Sequence, residues 1–304
     1  MDGSFEKPSP ALAAPIALPE GATAGQALQA IAQACAEHIR ANEAALIQSE
    51  APEALHQIRV SLRRWRAAVD ALGAALDPAV RDAAVAELKW LAGELDDARD
   101  LDVLSERLGA ARAAAGLPDG GLEGLRGALT HARATARERA AEALQSDRTK
   151  RLLWDGPRSA AAPSGDEGEP LARDLVRDSL QRQRAALRKR GRRLRVMAPE
   201  ARHRLRIRTK KARYAAELFG GLFGHPGRQD AFSGVLKDLQ AALGELNDIH
   251  VAGGLMRRLA EKAGTWDAGL AAGVLAGQGA DREASLLRKA ARAYGRFAKV
   301  RRFW

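Results

Sequence analysis

The chain reads as all-α, built from two related helical bundles as a tandem internal repeat. Three observations predict this. No stretch alternates polar and apolar residues convincingly at period two, so strands are not expected. Apolar residues recur at helical spacing through most of the chain. Short motifs of the first half also return in the same order about 147 residues later, as two copies of one helical unit would make them.

Residues 1–24 carry Pro8, Pro10, Pro15 and Pro19 among small residues with no helical period, and read as a tail or linker. The domain proper is expected over 25–304. A first helix is expected over 24–49. Pro52, tolerated in a first helical turn, opens the second, which carries His56. Asp77-Pro78 opens a third through Leu88, Leu91 and Leu95. A fourth is expected from about Asp100 to the Gly116-Leu117-Pro118 turn, and a fifth over 122–145. Residues 156–170, polar and broken by Pro157, Pro163 and Pro170, read as the linker between an N-terminal half (25–155) and a C-terminal half (171–304). The order then restarts: a basic helix over 171–196, a helix opened by Pro199 that bears His203, and a turn at His225-Pro226-Gly227. Further helices are expected over 231–243, 249–262 and about 282–300.

Charge narrows the function. Forty-nine Lys and Arg stand against 38 Asp and Glu, a formal net charge of +11, which predicts attraction to polyanions and says little about fold. The excess is uneven: residues 1–150 hold 17 basic and 22 acidic side chains, and residues 151–304 hold 32 and 16. The single cysteine, Cys35, excludes an internal disulfide and a cysteine-based zinc cluster, and fits a reducing cytoplasm or a small core position. No apolar run approaches the roughly 18–20 residues of a membrane span, and no signal pattern opens the chain.

The stretch 201–218 concentrates the charge. On a helix, His203, Arg206, Lys210 and Arg213 fall within roughly 80° of one another, while Leu205, Thr209, Ala212, Ala216 and Phe219 gather on a separate face. His56, Arg59, Arg63 and Arg66 repeat the row upstream, with Ile58, Leu62, Trp65, Val69 and Leu72 behind them. Surface helices ordinarily mix charge signs, so a single-sign row calls for an anionic partner. The competing reading pairs these cations with carboxylates on neighbouring helices. Asp96, Asp97, Asp100 and Asp102 offer such partners to the first row. From Arg182 to Arg213 there are 15 basic residues and one acid, Glu200, so pairing is not expected to absorb the second row. Lys89 and Lys237, at matching places on the third helix of each half, are either further lining residues or ordinary solvated lysines. His56 and His203 each head a cationic row, where neighbouring positive charge should keep them neutral until an anion arrives. Asp100 and Asp248 are expected as N-caps of the fourth helices, in a structural role that includes a salt bridge to a row arginine. Trp65 and Trp90 are expected in the core.

Four motifs in order, H-Q-I-R-V-S-L-R-R-W-R at 56–66, R-D-L-D-V at 99–103, H-R-L-R-I-R-T-K-K-A-R-Y at 203–214 and L-G-E-L-N-D-I-H-V at 243–251, resemble the conserved histidine α-helical domain, the CHAD family. The resemblance spans about residues 25–304. It implies two pseudo-symmetric antiparallel helical bundles arranged around a basic central groove or cavity. It also implies binding of inorganic polyphosphate and association with polyphosphate granules, not catalysis. On that reading His56, Arg59, Arg63, Arg64, Arg66 and Lys89, with His203, Arg206, Lys210, Lys211, Arg213 and Lys237, supply hydrogen bonds and charge to phosphate oxygens. No cofactor, metal or membrane partner is expected. Many relatives carry an N-terminal triphosphate-tunnel domain; no Glu-x-Glu-x-Lys strand of that kind occurs here. Where the family pattern prefers glycine this chain has Asp96, while Gly244 keeps glycine in the second copy, so a tighter or shifted turn is expected in the first half.

Two other functions compete. A nucleic-acid-binding protein would use the same phosphate chemistry, but aromatics are only 4% of the chain and none interleave with the basic rows for stacking on bases. A polyphosphate-processing enzyme would need a glycine-rich phosphate loop or a carboxylate set for a metal, and neither is evident.

Overall fold

The computed structural model describes residues 8–49, 52–111, 119–160 and 168–304. Every regular element among them is helical: α1 (Ala24–Gln48), α2 (Pro52–Leu72), α3 (Pro78–Glu94), α4 (Asp96–Ala111), α5 (Asp119–Gln145), α6 (Asp147–Ala160), α7 (Ala172–Gly191), α8 (Pro199–Phe219), α9 (Pro226–Ala263) and α10 (Trp266–Lys299). Four of them, α2, α3, α8 and α9, open on a proline, whose missing N–H would have no partner in a first turn anyway. α3 is also capped by Asp77, which accepts from the backbone N–H of Ala79 and Val80, and α1 by a Thr23–Gln26 capping box.

The apolar faces lie where the helical spacing puts them. Ile58, Leu62, Trp65, Val69 and Leu72 on α2 are buried, as are Leu205, Thr209, Ala212, Ala216 and Phe219 on α8. They join one continuous apolar cluster that runs from Ala22 to Phe303, so the two halves share a core instead of filling one each. α2 packs directly on α8, and α5 of the first half lies against both α9 and α10 of the second. That crossing places the two histidine helices side by side.

Several elements differ from expectation. The two helices expected over 231–243 and 249–262 are one helix, α9. Gly244 stays helical inside it; an interior glycine costs about 1 kcal/mol relative to alanine. The four buried leucines 236, 239, 243 and 246 each contribute about 1.5–3 kcal/mol and outweigh that cost. In the first half the chain does break, at Leu95, and α4 starts at Asp96. Asp100 and Asp248 therefore sit inside helices and cap nothing. The expected end of the fourth helix, at 116–118, lies outside the described residues. α10 begins at Trp266, well before residue 282.

Helix α6 runs through the start of the expected linker despite Pro157. Proline cannot donate to the carbonyl four residues back, and Nη2 of Arg40 donates to that Leu153 carbonyl instead, at 2.5 Å. Gly156 lets α6 lie against Trp65, where an added Cβ would stand 2.8 Å from the indole. Residues 161–167 of the linker lie outside the described residues. The described part of the N-terminal tail is docked, not free. Ala11 N–H donates to Asn42 Oδ1 at 3.1 Å, Ala13 N–H to Gln57 Oε1 at 3.2 Å, and Nε2 of His38 to the Ala11 carbonyl at 2.9 Å. Hydrogen bonds from Ala24 N–H to the Pro170 carbonyl and from Ala172 N–H to the Ala22 carbonyl then tie the starts of α1 and α7 together. Cys35 is a core residue whose thiol burial pushes up to about 12. Trp65 is buried, whereas Trp90 is half-buried beneath the Arg148 guanidinium, 4.0 Å from its ring.

Candidate functional site

α2 and α8 turn their polar edges into a shared cavity of about 630 Å³, completed by α4 and α9. Helix α2 contributes His56, Arg59, Arg63 and Arg66; α8 contributes His203, Arg206, Lys210 and Lys211. The apolar stripes behind these residues pin each helix to the core, so the polar edges can point only inward to the gap between them. Four other candidates lie off the lining. Arg64 donates to the Ala14 carbonyl of the docked tail at 2.7 Å. Arg213 donates to Gln240 and Glu217, at 2.8 and 2.6 Å, and stacks on the Tyr214 ring. Lys89 and Lys237 are exposed and do not line the cavity.

Carboxylates neutralise part of both rows. Arg59 pairs with Asp96. Lys211 pairs with Asp70 of α2 at 2.7 Å, and Arg206 lies 3.9 Å from Asp248 of α9. The expectation that pairing would spare the second row is corrected: Arg206 has Asp248 of α9, Arg213 has Glu217 one turn on in α8 itself, and the neighbouring Lys211 has Asp70 of α2. The lining includes seven Lys and Arg and five Asp and Glu, so its positive character rests on where the cations sit and not on a large excess.

Lys210 is the most strongly perturbed cation of the lining, with Asp248 the one attractive charge against three repulsive ones among the described residues. Its ammonium is pushed down to about 7 by burial, then by Arg206, Arg63 and Arg59. Burial, and then Arg99 and Arg63, hold His56 below the ordinary histidine range, so the neighbouring cations act in the expected direction but second to burial. Asp100 is raised, first by burial and then by Asp96 and Asp248, against the pull of Arg59 and Arg206. Nδ1 of His203 donates to Oδ1 of Asn247, so its ring is oriented with Nε2 left to other partners.

The lining also holds residues that the sequence did not single out as a site: Arg99, Asp100, Gln240, Asn247 and Asp248. Four of them lie in the quoted motifs 99–103 and 243–251, and their recurrence was the available signal. Arg99 and Asn247 occupy matching motif positions, and each is the neighbour that sets its histidine's surroundings. Tyr214 is buried and still reaches the cavity, where its hydroxyl accepts from Nη1 of Arg63 at 2.9 Å.

Fold and site together define an all-helical domain with a histidine-headed, cation-edged cavity between two helices from opposite halves of the chain. The chain belongs to the CHAD family: the CHAD domain model matches residues 30–257. Among solved structures it is similar to the CHAD domain from the plant Ricinus communis, at 32% identity and a TM-score of 0.79, over 94% of this chain and 96% of that one. It also shares its fold with PptA from Streptomyces chartreusis, at 20% identity and a TM-score of 0.71, over 90% of this chain and 100% of that one. No curated protein sequence matches it. Among the described residues no helix is long and apolar enough to cross a membrane, and no three His, Cys, Asp or Glu side chains are grouped to hold a metal ion.

Proposed function

We propose that the protein is a non-catalytic module that binds inorganic polyphosphate in the cavity between α2 and α8, at polyphosphate granules of the cytoplasm. Lys210 carries the reading: among the described residues it is half-buried, crowded by Arg206, Arg63 and Arg59 and drawn only by Asp248, so a phosphate oxygen would relieve the repulsion. A phosphate chain presents an anionic oxygen at every unit and has no bases to accommodate. It can therefore accept hydrogen bonds from Arg63, Arg66, Arg206 and Lys210 in succession, and from the histidines at the head of each row. Membership of the CHAD family supports the same ligand.

Nucleic acid is the second reading, since its backbone offers the same oxygens. Tyr214 is the one Phe, Tyr or Trp among the lining residues, and its ring already carries Arg213, which leaves bases little to stack on besides the two histidines. Competition between polyphosphate, single-stranded DNA and tRNA at equal phosphate concentration separates the two. Polyphosphate is expected to displace both nucleic acids; equal or tighter nucleic-acid binding would overturn the polyphosphate reading. The proposal contains no chemical step. Sustained release of orthophosphate by the pure protein, abolished by changing His56 or His203, would contradict it.

A further inference from the structure

A second basic depression lies where the chain's last segment crosses α7 and the start of α9. It has a volume of about 720 Å³ and shares no residue with the central cavity. Arg184 and Arg188 come from α7, Arg228 from the first turn of α9, and Lys299, Arg301 and Arg302 from the end of α10 and the segment after it. No Asp or Glu side chain lines it, and none of the six cations is paired with a carboxylate among the described residues. The central cavity, by contrast, is partly neutralised by its own acids.

This arrangement is held rigidly against its own repulsion. Phe303 is buried edge-on against Phe223 and Phe232, and Trp304 packs on Phe232 with ring centroids 5.0 Å apart. Those rings anchor the segment that carries Arg301 and Arg302. Nη2 of Arg184 donates to the Val300 carbonyl and Nη1 of Arg302 to Gln181 Oε1, each at 3.0 Å, which clips the segment to α7. Burial first, and then the like charges of Arg188 and Arg302, hold the Arg184 guanidinium below its ordinary range. Crowded, preorganised cations give an anion a favourable place at little ordering cost. The positive end of the α9 dipole, beside Arg228, adds to the attraction.

We infer that this depression is a second phosphate site, which takes an inorganic oligophosphate segment independently of the central cavity. The phosphates have two sources: a separate short oligophosphate, or the overhang of a long chain already held centrally. In the second case the two sites act on one ligand and raise its affinity by making the second contact intramolecular.

Calorimetric titration with sodium tripolyphosphate tests this. The wild-type chain is expected to bind two molecules. A pocket variant, Arg188→Gln with Arg228→Gln and Arg301→Gln, changes only exposed side chains and should bind one, with its thermal melt unchanged. A cavity variant, Arg63→Gln with Arg206→Gln and Lys210→Gln, should retain the other. Unaltered stoichiometry in the pocket variant, or complete loss of binding in the cavity variant, would overturn the inference. Loss of all binding in the pocket variant alone would leave this site standing and refute the central one. With long-chain polyphosphate, affinity weakened about tenfold or more in the pocket variant identifies the overhang as the source, and unchanged affinity identifies separate short oligophosphates.

Discussion

Arg63, on α2, donates a 2.9 Å hydrogen bond from Nη1 to the hydroxyl of Tyr214, on α8. The same tyrosine ring carries Arg213 at 4.4 Å, so one side chain holds cations from both histidine helices in fixed positions. Replacing it by phenylalanine keeps the ring and removes the bond. Tyr214→Phe is expected to cost about 1–2 kcal/mol of stability, seen as a melting temperature a few degrees lower, because the bond involves a charged donor. Polyphosphate should also bind more weakly, since Arg63 must be ordered anew on each encounter. Melting and titration of the same variant check both.

Arg59 and Arg206 occupy equivalent places in the two rows, and the residues opposite them differ. Asp96 neutralises Arg59, whereas an added Cβ at Gly244 would stand 3.7 Å from Nε of Arg206, an ordinary contact that leaves room for a side chain. Gly244→Asp should thus fold normally, pair with Arg206 and weaken polyphosphate binding about tenfold, or ~1.4 kcal/mol. Asp96→Gly should free Arg59 and tighten binding. Calorimetric affinities of the two variants, moving in opposite directions, are the expected result.

Lys210 makes stability and binding depend on pH. Its folded value is about 7 against an ordinary 10.5. Below pH 7 the folded and unfolded chains both carry the proton, and the folded chain bears the whole penalty of the buried charge. Between about 7 and 10.5 the unfolded lysine holds its proton while the folded one releases it, so this group's contribution to stability improves as pH rises across that window. A bound polyanion favours the charged form. Binding at pH 8 should therefore take up a proton at Lys210, and affinity should fall as pH rises above 7. His56, held below its ordinary 6.5, is neutral there and shares in the effect only at lower pH. Titrations in buffers of different ionisation enthalpy measure the uptake, and Lys210→Met should abolish it while raising the stability of the free protein.

Salt offers an independent count of contacts. Affinity should fall linearly with ionic strength on a log–log plot, as counterions displaced from the phosphates return. Arg66 lines the cavity, and Arg66→Gln should reduce the slope by about one while leaving the fold intact. Lys237→Gln, at a residue away from both pockets, should leave the slope unchanged.

What could be read from the sequence was what depends on helical period alone. The phase of α2 and α8 follows from apolar residues spaced at 100°, and every residue assigned to their buried faces is buried. Partner choice across the fold was not legible. Lys211 meets Asp70 and Arg59 meets Asp96 only because α2 packs on α8 and α4 returns beside α2, contacts that no local window contains. Helix α6 was hidden by Gly156 and Pro157, which read as breakers until Trp65 and Arg40 supply the packing and the missing hydrogen bond. Gly244 misled in the same way: it looks like a helix end, and burial of Leu243 and Leu246 carries α9 through it. For the cavity's acids, Asp100 and Asp248, the motif makes a bridge to a row arginine legible, and Asp248 lies 3.9 Å from Arg206. Their interior helical position was not legible, because a cap needs only one turn of sequence and a lining position needs the whole fold.

The central claim is that the facing edges of α2 and α8 hold the phosphate chain. Titrating long-chain polyphosphate into the variant Arg63→Gln, Arg206→Gln, Lys210→Gln, with helicity and melting recorded beside it, tests that most directly. A folded variant whose affinity has fallen at least a hundredfold, roughly 2.7 kcal/mol, is the predicted result. Wild-type affinity in a folded variant would contradict the account.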